Sequence, residues 1–83
     1  MESIWTKQDG RYQLHSRYSN GLYLAYREDD NWGRASEKSW AVVNKDTKDI
    51  IEWQFKIKLS WKEWLTDTIK RFGKRTILNG SNL

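Results

Sequence analysis

The chain has 83 residues, with 15 Lys and Arg, 11 Asp and Glu, one His, no Cys and no Pro. That length suits one domain over residues 1–83, and the lack of Cys excludes a disulfide framework, a thiol nucleophile and a thiolate metal site. Six Trp, four Tyr and two Phe set it apart from disordered chains, which are poor in aromatics.

The first element in chain order is Ile4-Trp5-Thr6, an edge strand before an Asp9-Gly10 turn. Residues 11–18 and 22–28 follow as a hairpin around Ser19-Asn20-Gly21. A three-residue loop pairs Tyr18 with Leu22, Ser16 with Leu24 and Leu14 with Tyr26, which gathers most apolar side chains on one face. Gln13, His15, Arg17, Tyr23, Ala25 and Arg27 then form an outer face. Residues 39–44 are a short strand rich in β-formers, joined through the polar stretch Lys45–Asp49 to a strand at 50–59. In that last strand Ile51, Trp53, Phe55, Ile57 and Leu59 alternate with Glu52, Gln54, Lys56 and Lys58, the pattern of one face on a core and one in water.

After Leu59 the period changes. Ser60-Trp61-Lys62-Glu63 has the form of a capping box. Trp61, Trp64, Leu65, Thr68, Ile69 and Phe72 make the stripe of an amphipathic helix over 61–72, and Gly73 fits its stop. The tail 74–83 has a short strand at Thr76-Ile77-Leu78 as its one candidate element. The expected fold is α+β: about four antiparallel strands in two hairpins, with one C-terminal amphipathic helix on one face. Trp53, Phe55, Trp61, Trp64 and Phe72 are expected in the core, because periodic aromatic stripes are usually packing.

The charge is unevenly placed. Residues 1–40 sum to zero, whereas residues 41–83 carry nine cations against five anions, the whole net +4. Lys70, Arg71, Lys74 and Arg75 are the densest group, a candidate contact for phosphate or another polyanion. Cations in the last helical turn also serve the helix dipole.

Little here can do covalent chemistry. His15 is alone, with no second His or Cys to complete a ligand set. Glu28-Asp29-Asp30 lacks the spacing of a calcium loop. No nucleophile elbow, phosphate loop or zinc-protease motif occurs. The expectation is a chain that is no enzyme and carries no metal and no cofactor. Asn79-Gly80-Ser81 matches a glycosylation sequon but reads as a turn, because no leader resembling a signal peptide precedes it. With no apolar run near the ~18 residues of a membrane helix, the location expected is cytoplasmic and the partner not a membrane.

Trp32 and Arg34 lie in the longest connection, 27–39, and long connections in small domains often carry function. Tyr23 between Arg17 and Arg27 is a second candidate contact, suited to a protein surface or to a base with its phosphate. The run Asn20–Asp29 resembles hairpins in some small phage-encoded anti-CRISPR proteins. The spacing Tyr12…Tyr23-Leu24-Ala25…Trp53-Gln54-Phe55 resembles one repeat of a ricin-type trefoil lectin. Each likeness covers a minority of the chain, and a trefoil needs three repeats where this chain has one followed by a helix. The function expected is a small binding module for a protein partner, of adaptor or inhibitor type, with a phage or other mobile element as one origin the first likeness implies. The alternatives are salt-sensitive nucleic-acid binding through the basic helix end and, on the second likeness, carbohydrate binding.

Overall fold

The computed structural model describes residues 2–27 and 40–78. Strands β1 (Ser3–Trp5), β2 (Arg11–Tyr18), β3 (Tyr23–Arg27), β4 (Trp40–Asn44) and β5 (Asp49–Trp53) precede helix α1 (Trp61–Phe72) and strand β6 (Arg75–Ile77). The strands form one antiparallel sheet in the order β1-β2-β3-β4-β5, with β6 also paired to β2. The class is α+β as expected, with six strands among the described residues rather than four. β1 takes the half of the β2 edge at Arg11–Gln13, and β6 takes the half at Ser16–Tyr18. A single long strand therefore holds both the first and the last described strands.

The sheet curls. Lys7 N–H donates to Lys48 O at 2.9 Å, Ile50 N–H donates to Gln8 Oε1 at 2.8 Å, and Lys45 pairs with Glu2. These contacts bring the β1–β2 corner against the β4–β5 turn. Inside the curl Tyr12, Leu14, Ala25, Ala41, Val43 and Ile50 pack together, with Ile4, Tyr23, Trp53 and Leu78 against them. On the other face Tyr18, Leu24, Val42 and Trp64 form a second core beneath the helix.

Two core faces from one sheet require breaks in alternation. The register Leu14↔Ala25 and then Ser16↔Leu24 leaves His15 as an extra residue, a β-bulge. Tyr12 and Leu14 point into the curl, and beyond the bulge Ser16 and Tyr18 point to the helix. The expected pairing of Leu14 with Tyr26 is thus corrected, since Tyr26 lies opposite Gln13. The pairing of Ser16 with Leu24 holds, and Tyr18 N–H donates to Leu22 O at 2.8 Å across the loop.

The expected outer face is corrected too. Ala25 and Gln13 are buried, Tyr23 and Arg27 half-buried, and only Arg17 remains exposed.

The strand expected at 50–59 ends at Trp53 and continues as a 3₁₀ turn over Gln54–Lys56. Val42 opposes Glu52 while Val43 opposes Ile50, so Ile51 is the bulged residue. Ile50 and Trp53, three apart, consequently share the inner face, and Glu52 turns to the helix. The alternation starting at Ile51 does not mark a buried face: Ile51 is 48% and Phe55 61% exposed. The other strand ends fall within two residues of expectation, apart from the ends expected at residues 28 and 39, which lie outside the described residues.

α1 covers the expected residues, with both capping-box bonds made: Glu63 N–H donates to Ser60 Oγ and Ser60 N–H to Glu63 Oε1. Trp64 and Thr68 are fully buried, and Tyr18 O–H donates to Thr68 Oγ1 at 2.7 Å. Trp64 Nε1–H donates to Glu52 Oε2, which also receives Arg71 Nη2–H, while Arg71 Nη1–H bonds Glu52 Oε1. Arg71 Nε–H reaches Asp67 as well. The helix is thus clamped to β5 by a charge-assisted fork.

Trp64→Ala should cost about 3–5 kcal/mol, the range for an emptied buried Trp site, read from urea melts followed by circular dichroism. Gly73 has φ +97°, and a Cβ there would overlap Ser19 Oγ. Gly73→Ala should therefore destabilise by roughly 1–3 kcal/mol in the same melts, since both the backbone region and the space reject a side chain.

Candidate binding surface

Among the described residues the largest aromatic assembly lies beside the start of α1. Trp40, at the head of β4, pairs with Tyr26 of β3, and their rings are 5.1 Å apart. The bulged His15 meets the Trp40 ring edge-on at 5.4 Å. On the far side Trp61 lies 4.8 Å from Trp40, and Trp64 stacks on Trp61 at 5.8 Å. Each ring has a separate reason to be where it is. The bulge turns His15 onto this face, the β3–β4 register aligns Tyr26 with Trp40, and the capping box sets Trp61 as the first helical residue. Tyr26 O–H donates to Gln13 Oε1 at 2.7 Å, which fixes its ring. Trp61 is 36% exposed, and Trp40 and His15 are half-buried. The result is a row of rings packed on each other and most open to solvent at Trp61.

Sequence reasoning placed Trp61 in the core and His15 at an exposed sheet position, and gave Trp40 and Tyr26 no role at the surface. The signal it lacked was the bulge. Burial, with a further push from the nearby Arg75 charge, holds the His15 imidazole below its ordinary value. His15 is therefore neutral at pH 7 and presents no cation here.

The residues singled out from the sequence fall into three groups. Trp32 and Arg34 lie outside the described residues, as does the acidic run Glu28–Asp30. Arg17 opposes Tyr23 and shares a face with Arg27, as expected, but that face closes on the curl. Tyr23 packs inside, with Lys45 Nζ 5.6 Å from its ring centre. Arg27 lies 3.5 Å from Asp9. Asp9 in turn accepts Tyr12 O–H at 3.0 Å, and Tyr12 accepts Trp53 Nε1–H at 3.1 Å. Burial pushes the Tyr12 hydroxyl up to about 12. Tyr23 and Arg27 thus serve the core more than a free surface.

The basic helix end divides as well. Arg71 is spent on Glu52 and Asp67, and this pairing holds it above its already high ordinary value. Arg75 stands over the Tyr18 ring at 5.8 Å. Lys70 and Lys74 are exposed, and among the described residues neither meets a carboxylate. No group of three metal-ligating side chains occurs among the described residues, and no helix there is long and apolar enough to cross a membrane.

No family model, curated protein or solved structure matches the chain.

The clamp gives a pH prediction. Arg71 first, and then Trp64, hold the Glu52 carboxyl below its ordinary 4.5. A lowered folded-state value means that the stabilisation is whole above pH 4.5 and is lost as pH falls through the folded value. Urea melts stepped from neutral to acid should show that loss, and Glu52→Gln should flatten it while lowering stability at neutral pH by about 1–3 kcal/mol.

Proposed function

We propose that the chain is a non-enzymatic binding module that engages a protein partner, an adaptor or inhibitor in type. The observation that carries this is Trp61, the most exposed ring of the row, held in place between Trp40 and Trp64. A ring fixed in advance loses little freedom on binding, and Trp is among the commonest anchors of protein interfaces. Trp40 is the residue to which the 28–39 connection leads. Trp32 and Arg34, outside the described residues, remain candidate contacts.

Polyanion binding is the second reading, favoured by Lys70 and Lys74, which are exposed and unpaired among the described residues. It ranks lower because Arg71, the centre of the basic run, already holds two carboxylates. A phosphate would have to displace a bidentate pair to use it.

The test is photo-crosslinking in cells, with a photoreactive phenylalanine analogue replacing Trp61. The expected outcome is a predominant protein adduct, suppressed by excess wild-type chain and not by Trp61→Ala. Adducts with nucleic acid would count against this reading. So would oligonucleotide-induced NMR shifts at Lys70–Arg75 that weaken steeply with salt, the signature of counterion release.

A further inference from the structure

Among the described residues β6 has one neighbour, β2. Its hydrogen bonds show which way its main chain faces. Ser19 N–H donates to Lys74 O at 2.8 Å and Leu78 N–H to His15 O at 3.1 Å, so residues 74, 76 and 78 turn toward β2. By strand alternation Arg75 and Ile77 direct their N–H and C=O groups outward. Their side chains, opposite Tyr18 and Ser16, lie on the helix-bearing face, and Ile77 is 62% exposed. Leu78, on the other face, packs into the curl. A sheet edge with two free backbone groups on each of two residues and an apolar side chain beside them is a template for another strand.

Charge selects which strand can add. Lys74 and Arg75 lie on the edge itself, and Arg17 faces Thr76 from β2. No carboxylate among the described residues pairs with any of the three, because Glu52 and Asp67 are held by Arg71 and Glu63 caps the helix. Arg75 Nη1 is enclosed without an acceptor. A second copy of this chain would set the same cations against one another, which is how basic edges resist self-pairing. A strand bearing carboxylates meets no such cost.

We infer that the outer edge of β6 accepts an extended acidic segment of the protein partner as an added strand. Its main chain bonds Arg75 and Ile77, its carboxylates lie on the face of Lys74 and Arg17, and its apolar side chains lie beside Ile77 on the other. This rests on the protein-partner reading and names the partner's chemistry. His15 links the two surfaces, since its carbonyl accepts from Leu78 while its ring touches Trp40.

The test is an NMR titration of the labelled chain with three probes: a short peptide alternating Glu and Val, its Lys–Val counterpart, and a mixed-sequence single-stranded DNA. The Glu–Val peptide should shift the Arg75 and Ile77 amides and slow their hydrogen exchange roughly tenfold. The Lys–Val peptide should do neither. Ile77→Pro removes an outward donor without touching a bond to β2, so it should abolish that protection while leaving the melting temperature near wild type. Unchanged Arg75 and Ile77 amides at saturating Glu–Val peptide would overturn the inference. So would DNA giving the same shifts with steep salt dependence, which assigns these cations to a polyanion. If Ile77→Pro still competes for the protein adduct formed at Trp61 as wild type does, the edge inference fails and the partner reading stands. If no protein adduct forms, both fail.

Discussion

One extra residue in one strand governs the architecture. β2 is the longest strand and carries β1, β3 and β6, and the bulge at His15 divides it into two halves facing opposite ways. Without the bulge Tyr12, Leu14, Ser16 and Tyr18 would share a face, and the sheet would have one core and one wet side. With it, Tyr12 and Leu14 fill the curl while Tyr18 supports the helix and bonds Thr68. A bulge also bends and twists its strand, in keeping with the approach of the β1–β2 corner to the β4–β5 turn. Ile51 repeats the device in β5, releasing Glu52 to the helix side where it meets Trp64 and Arg71.

The same geometry explains the use of charge. Glu52 is held by an arginine and an indole N–H, so the pair is a half-buried clamp and not a surface ornament. The clamp withdraws Arg71 from the basic run and consumes Asp67. Among the described residues Lys74 and Arg75, with Arg17 beside them, meet no carboxylate and lie along the β6 edge, while Lys70 stays unpaired on the helix. Structure and electrostatics together leave a positive surface that runs from Lys70 on the helix into the strand after it.

Much of the fold was legible because it depends on local signals. The helix needs Ser60, Glu63 and Gly73 at its ends and a stripe of apolar residues between, all readable by spacing. The hairpin loop needs Asn20 and Gly21, and β1 and β6 show as short apolar runs. What could not be read was the face each residue occupies. A bulge carries no strong residue preference, and alternation through Ile51–Leu59 is equally regular with or without one. The consequence was largest for the candidate surface. Tyr23 and Arg27, read as outward, belong to the curl and its Asp9–Tyr12–Trp53 network. Trp40, Tyr26 and His15, which gather beside Trp61, were separated in the sequence by distances that only tertiary pairing closes.

The register at the His15 bulge is therefore the point on which the arrangement stands or falls, and cross-strand nuclear Overhauser effects read it directly. The bulged register requires contacts of Leu14 with Ala25 and of its methyl groups with Val43 or Ile50, together with His15 ring protons against Trp40. Contacts of Leu14 with Tyr26 in their place would mean an unbroken strand, with one buried face, and would contradict the two-core sheet and the aromatic row built on it.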